Sequence, residues 1–421
     1  MKGTTLLSAA TPLAVAAAAI LAVGDLNPPA GAVAATGKRL TEIEPRTPIS
    51  ATTTPGDADS TFRISQPGSY YLTGNVVGLA GRHGIEIAAS SVTLDLGGFN
   101  VDGSGVGSGF DGIRTSVNAQ NIAIVNGSLS NWSADGIDLQ TISAVNGSIE
   151  RVDVSFVIGI GVRTGTNFAV ERCTVRSVQI GFSGGEGCTL ASCTANDVPS
   201  AGFSGGTGWT LNNCAATNCA GGGFVGLSAS AFNACTATGC NGGFLLFDHN
   251  TLSGCVASGN IGGTSNNGIS VTFDSVIRGC IANENTGNGI VANFSSVLDC
   301  TANLNGNSGI VLTGACLVLG NTCSSNGTAV AAAGIVVNAA DNRIEGNSCT
   351  RNTGRGIDVN SAGNIIVRNT CSGNTVSNWD IAANNVFGPI VDRSAPASAA
   401  VLGNSAASSL GSTDANANFT Y

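Results

Sequence analysis

From Gly84 onward the chain alternates short apolar and polar steps in a pattern that keeps restarting. In Gly84-Ile85-Glu86-Ile87 the isoleucines fall on one side and the glutamate on the other, the period-two alternation of a half-buried strand. Val92-Thr93-Leu94-Asp95-Leu96 repeats the alternation, and Gly97-Gly98 breaks it with a turn before residues 99–101 resume. The Gly-apolar start returns at Gly112-Ile113, Gly136-Ile137 and Gly161-Val162, then at Gly181-Phe182, Gly202-Phe203, Gly223-Phe224 and Gly243-Phe244. It continues at Gly268-Ile269, Gly289-Ile290, Gly309-Ile310, Gly334-Ile335 and Gly356-Ile357. Spacings run from 20 to 28 residues, and between residues 177 and 260 they tighten to 21, 21 and 20. A fixed period of this length is the mark of a solenoid, in which one unit buries its apolar face only when a neighbour stacks on it. The pattern predicts an all-β fold of about 13 coils, each of three short strands, and at about 4.8 Å per coil a rod of roughly 60 Å.

The ends lack this pattern. Met1-Lys2, the apolar run over residues 12–23 and Ala30-Gly31-Ala32 read as an export signal over residues 1–35. The apolar run is shorter than the roughly 20 residues that span a bilayer, so no transmembrane anchor is expected after signal removal. Residues 36–60 read as a linker, 61–390 as the solenoid and 391–421 as a C-terminal tail, either loose or covering the last coil. The expected location is secreted, periplasmic or at the cell surface.

Composition narrows the partners. The 421 residues carry a net charge of −9, and only 10% are charged, which excludes nucleic acid as a partner and leaves a polysaccharide or cell-surface component. Ten of the 14 cysteines fall once per repeat: Cys173, Cys193, Cys214, Cys235, Cys255, Cys280, Cys300, Cys323, Cys349 and Cys371. Stacked at coil spacing they form one inward ladder of parallel thiols rather than a set of disulfides. Cys219 and Cys240, off that ladder and one period apart, are the candidates for a bridge. Asn196, Asn283, Asn303, Asn326, Asn352 and Asn374 follow ladder cysteines by three residues and suit a repeated turn.

The Gly-Ile/Phe starts, the Val92-Thr93-Leu94-Asp95-Leu96 strand and the asparagine turns together resemble the right-handed parallel β-helix of the pectate-lyase-like superfamily, over residues 61–390. That resemblance implies a polysaccharide-directed protein whose chemistry, where it has any, sits on the outward face of one sheet. The outward residue after each Gly-apolar pair is therefore informative. In order these are Glu86, Arg114, Asp138, Arg163, Ser183, Ser204, Val225, Leu245, Ser270, Val291, Val311, Val336 and Asp358.

The list divides. Its first four members alternate in charge, with Asp111 and Asp135 close by in sequence. Residues 131–138 resemble the Asp-Gly-Phe-Asp-Pro-His motif of β-helical alginate epimerases at Asp135, Gly136 and Asp138, with Leu139-Gln140 in place of Pro-His. Asp135, Asp138, Arg163 and Arg114 are the candidate catalytic residues. Asp111, Asp135 and Asp138 are the candidate ligands for calcium, a hard cation that takes carboxylate oxygens. Without the motif's histidine the proton carrier at the sugar C5 is missing. His83 replaces it only if a turn brings it over. The bland alternative is that opposite charges on adjacent strands pair with one another. From residue 177 to 270 there is no Lys or Arg, and the outward positions Val225, Leu245, Val291, Val311 and Val336 make an apolar stripe suited to a contact face, covered by the tail, another subunit in an oligomer, or a ligand. The sequence thus favours an exported β-helix that binds a glycan or cell surface without complete catalytic machinery. A polysaccharide lyase or C5-epimerase with its site on the first four coils is the alternative, and a structural surface rod is a third.

Overall fold

In a computed structural model the chain divides into two compact units, Met1–Arg46 and Thr47–Tyr421, and the architecture below is that of the second. Residues 44–140, 144–262, 267–392 and 413–420 are described; the predicted export signal, the start of the linker and most of the tail lie outside them. The described residues hold short parallel strands and no helix, so none is long and apolar enough to cross a membrane as a helix.

The chain winds through three parallel sheets, one strand of each per turn. The first sheet begins with Ser60–Ile64 and His83–Ile87 and runs to Arg355–Val359 and Ser377–Ile381. It contains about fifteen turns rather than the expected 13. The two additional coils lie at the ends, where Thr61-Phe62 and Asn378-Trp379 occupy the strand without the Gly-apolar start. Coils are numbered here from Ser60–Ile64 as coil one, so the first four coils of the sequence pattern become coils two to five.

Register confirms the inward and outward assignment residue by residue. Ile85, Ile113, Ile137, Val162, Phe182, Phe203, Phe224 and Phe244 are successive partners, all buried. The four phenylalanines stack with centroids 5.0, 4.7 and 4.6 Å apart and planes within 10° of parallel. Burying each ring contributes on the order of 2–3 kcal/mol. The glycine before each ring is required by close approach: a Cβ on Gly181 would lie 2.3 Å from the Gly202 carbonyl of the next coil.

Each coil turns its corners with one left-handed residue followed by one buried residue. Between the second and third sheets the left-handed positions include Arg172, Ser192, Asn213, Ala234, Gly254, Gly279, Asp299, Gly320, Gly346 and Arg368. The buried residues that follow are Cys173, Cys193, Cys214, Cys235, Cys255, Cys280, Cys300, Asn321, Asn347 and Asn369. The expected ten-cysteine ladder is therefore two ladders. Seven thiols sit at this corner, whereas Cys323, Cys349 and Cys371 pair within the third sheet, continuing a column of alanines that ends at Ala302. A thiol fits both environments, which is why spacing alone merged them.

Cysteine and asparagine do the same work at a corner. The Cys255 amide donates to Cys280 Sγ at 3.4 Å and the Cys300 amide to Asn321 Oδ1 at 2.8 Å, each reaching the next coil. Asn305 uses its whole capacity: Oδ1 accepts from the Asn285 amide and side chain, and Nδ2 donates to the Ala282 carbonyl and to Asn326 Oδ1. Cys219 and Cys240 belong to that same corner, between the third and first sheets. They are free thiols, the Cys219 amide donating to Cys240 Sγ at 3.4 Å, rather than the bridge their spacing suggested. All 14 thiols are buried, and burial pushes those of Cys316, Cys323 and Cys349 up. At the C-terminus Asn418–Thr420 pairs with Thr370–Ser372, and Asn418 carries the corner ladder one step further by accepting from Asn369.

Candidate active site on the first sheet

The residue before the repeat glycine and the second residue after it build the site together. Aligned on Gly84, Gly112 and Gly136, the preceding residues are His83, Asp111 and Asp135; two beyond are Glu86, Arg114 and Asp138, followed one coil later by Arg163. His83, Glu86, Asp111, Asp135 and Asp138 are only 4–7% exposed. Buried charge is tolerated only where it is paired, so the partners decide what these groups can do.

His83, Asp111 and Asp135 each accept the amide of the residue one coil on. The Asp111 amide donates to His83 Nδ1 at 2.9 Å, the Asp135 amide to Asp111 Oδ1 at 2.9 Å, and the Ile160 amide to Asp135 Oδ1 at 2.7 Å. One oxygen of each aspartate thus does what the asparagines do downstream. The second oxygens face side-chain nitrogens: Asp111 Oδ2 lies 3.2 Å from His83 Nδ1, and Asp135 Oδ2 lies 3.2 Å from Arg163 Nη2. Asp138 Oδ1 accepts the Gln140 amide at 3.0 Å, and its Oδ2 lies 4.0 Å from Arg163 Nη1.

The outward column also finds partners outside itself. Glu86 is held by Ser60 and Ser116 hydroxyls and by Arg63 Nε at 3.5 Å. Arg114, between Glu86 and Asp138 in register, has its Nη1 2.7 Å from His83 Nε2. A guanidinium only donates. The ring therefore faces one donor at each nitrogen, and a neutral imidazole has a lone pair for only one of them. Phe110 packs edge-on against the ring at 5.3 Å. Burial lifts the Asp135 carboxyl to about 6; Asp111 and Asp138 add to that rise, while the Ile160 amide and Arg163 oppose it.

His83 is the residue whose role the sequence left open. Two coils separate it from Asp138; the intervening Asp111 lies 3.2 Å from His83 Nδ1 and offers an oxygen within 4.8 Å of one of Asp138. Its signal was present in the alignment on glycine, which places histidine and two aspartates at one repeat position.

Asp111, Asp135 and Asp138 each offer an oxygen within 4.8 Å of the others. Calcium takes six to eight oxygens. Here one oxygen of each carboxylate already accepts a backbone amide, and Arg163 lies 3.2 Å from Asp135 Oδ2 and 4.0 Å from Asp138 Oδ2, so an arginine shares the charge that a cation would meet.

Downstream, Val225, Leu245, Ser270, Val291, Val311 and Val336 follow one another in strict register; the first five are half-buried and Val336 is buried. Asp248 and His249 do not form a dyad: Asp248 accepts from Thr272, and His249 faces Asp274 at 3.6 Å, both largely exposed. At the far end Arg355 lies 3.6 Å from Asp358 and 2.7 Å from Asp380, a partner beyond the thirteen positions read from sequence.

No family model matches the sequence, and no curated protein matches it. Among solved structures, the Azotobacter vinelandii mannuronan C-5 epimerase AlgE6 A-module is similar at 15% identity, covering 77% of this chain and 91% of that one, with a TM-score of 0.37. Bacteriophage CBA120 tailspike protein 3 is similar at 13% identity, over 90% of this chain and 70% of that one, with a TM-score of 0.41. The GH87 α-1,3-glucanase catalytic unit of Streptomyces thermodiastaticus is similar at 12% identity, over 82% and 71%, with a TM-score of 0.43. The strand register above defines the protein as a parallel β-helix. What it does is argued from its own residues.

Proposed function

We propose that this β-helix is exported and acts on a uronate-containing polysaccharide by proton transfer at the sugar C5, as a lyase or C5-epimerase, through coils two to five. The observation that carries this reading is His83. The motif around Asp135 and Asp138 lacks its histidine, and His83 supplies an imidazole joined to that cluster through Asp111. Proton abstraction beside a carboxylate needs a base, an acid and a cation to hold the developing charge. Asp135, with a carboxyl that titrates near 6, and His83 are the proton carriers; Arg163 and Arg114 are the cations facing the sugar carboxylate. A perturbed acid, Asp135, packed with further acids, arginine and histidine on one face marks a candidate site on physical grounds.

The second reading, a binding protein without catalysis, is favoured by a specific observation: one oxygen of Asp111 and of Asp135 is already committed to the backbone, as asparagine amides are elsewhere. One experiment separates the two. Uronate polysaccharides are incubated in D2O, and deuterium entry at C5 and unsaturated product are followed with and without a chelator. Exchange that His83→Gln and Arg163→Ala remove supports proton transfer. Binding without exchange on every uronate tested sinks it in favour of the second reading. Arg163 already pairs with Asp135 and Asp138 in this scheme, so chelation is expected to leave exchange intact.

A further inference from the structure

The stripe over coils eight to twelve is unused by that chemistry, and more than its apolarity characterises it. Its floor is one half-buried outward residue per coil: Val225, Leu245, Ser270, Val291 and Val311, each the register partner of the next. Along one flank, at the corner into the second sheet, stand Phe247, Phe273 and Phe294, which are 55%, 43% and 50% exposed. Phe273 and Phe294 stack at 5.5 Å with planes 21° apart. Since they stack along the axis, their edges form a wall beside the floor rather than a set of open faces. The opposite flank is amide: Asn267 Oδ1 accepts from the Asn288 side chain at 3.0 Å, and Asn288 Oδ1 accepts the Ser308 amide at 3.1 Å. Both asparagines are half-buried.

Three properties identify an occupant. The floor repeats by translation, one outward residue per coil in register, so a linear polymer with a short repeat meets a similar floor at each step. An apolar floor between amide and phenyl walls matches a pyranose, whose C–H face is apolar and whose rim bears hydroxyls. The floor residues and the phenylalanine and asparagine flanks are themselves uncharged, so the track offers no charged match to a strongly basic or strongly acidic protein partner. The strip also continues the outward column of the same sheet that carries Arg163, through Ser183 and Ser204.

We infer that coils eight to twelve form a track that holds an extended polysaccharide along the rod, several coils from the acid–histidine cluster. The track rests on the reading that the protein is glycan-directed, but not on proton transfer. Its floor is Val225, Leu245, Val291 and Val311, and its wall is Phe273 with Phe294.

The test is binding of long uronate and neutral polysaccharides, measured by affinity electrophoresis, for the wild type, Leu245→Asp, Phe273→Ala/Phe294→Ala, and Ile281→Asp as a control on the third sheet. Melting temperatures check that each variant is folded. The expected result is at least a ~10-fold loss of affinity in the two track variants and none in the control. C5 exchange on short oligosaccharides should persist in both track variants. Equal affinity in all four proteins, or no affinity in the wild type, overturns the track. So does a wild-type dimer in sedimentation that Leu245→Asp converts to monomer, because a second copy is then the occupant. Binding that is lost as expected, with no C5 exchange in the wild type, leaves the track standing and removes the proposed chemistry.

Discussion

Coils two to five and coils eight to twelve share one backbone plan and use it oppositely. In both, the outward column of the first sheet rises one residue per coil in unbroken register. Upstream that column and the position before the glycine carry Glu86, Arg114, Asp138, Arg163, His83, Asp111 and Asp135, mostly buried and bonded to one another. Downstream the column carries valine, leucine and serine, the position before the glycine carries glycine, asparagine and serine, and the inward side becomes a regular stack of phenylalanine and then isoleucine. The comparison teaches that regularity and chemistry trade against each other in a solenoid. A perfect repeat places the same group at every coil, whereas a proton-transfer site needs different groups side by side.

The comparison can be broken most sharply by activity. His83→Gln is expected to lower C5 exchange by about 10²–10⁴-fold, the usual worth of a positioned proton carrier, while Leu245→Asp leaves exchange on short oligosaccharides intact. If Leu245→Asp abolishes exchange there and His83→Gln does not, the two regions have been assigned the wrong way round.

The next effect is on stability and belongs downstream. Phe224→Ala removes the middle of a four-ring stack and is expected to cost about 3–5 kcal/mol in chemical denaturation. Asn305→Ala should cost about 2–4 kcal/mol, because it strands two donors of Asn285 and the Ala282 carbonyl. Cys255→Ala, at a corner where the thiol makes only weak sulfur bonds to the Phe232 and Ser253 carbonyls, should cost about 1–2 kcal/mol. Equal losses for the asparagine and the cysteine would show that the two are not graded as their bonding implies.

Smaller again is the pH response of the upstream region. The Asp135 carboxyl is lifted by burial from its ordinary value to about 6, so the folded state binds a proton that the unfolded state has already lost between roughly pH 4 and 6. Wild-type stability from this group therefore rises as pH falls from 7 toward 4. Asp135→Asn, which keeps an oxygen for the Ile160 amide, should flatten that slope and raise stability at pH 7 by on the order of 1–3 kcal/mol, read as a pH series of melting temperatures. A steeper slope in the variant would place the titration elsewhere. The smallest effect is expected at the surface pair of Arg278 and Asp299, 3.1 Å apart and more than half exposed, where Arg278→Ala should change stability by less than about 1 kcal/mol.

Much of this was legible in the chain. The alternation in Gly84-Ile85-Glu86-Ile87 set inward and outward at once, and all thirteen outward residues read from it fall in one column of the structure. The two end coils were missed because Phe62 and Trp379 fill the strand without a glycine. The cysteine ladder was misjoined because a small thiol satisfies two buried environments two residues apart, and spacing does not distinguish them.

What the sequence determined by itself is the parallel coil, its period and the direction of each side chain, because strand alternation and close glycine contacts are local and repeat. What only the tertiary structure decided is who pairs with whom. Arg114 reaches His83, Arg163 bridges two aspartates, and backbone amides claim one oxygen of Asp111 and one of Asp135. Those choices depend on side-chain reach and burial between coils more than twenty residues apart, where electrostatics in a dry interior outweighs anything written locally.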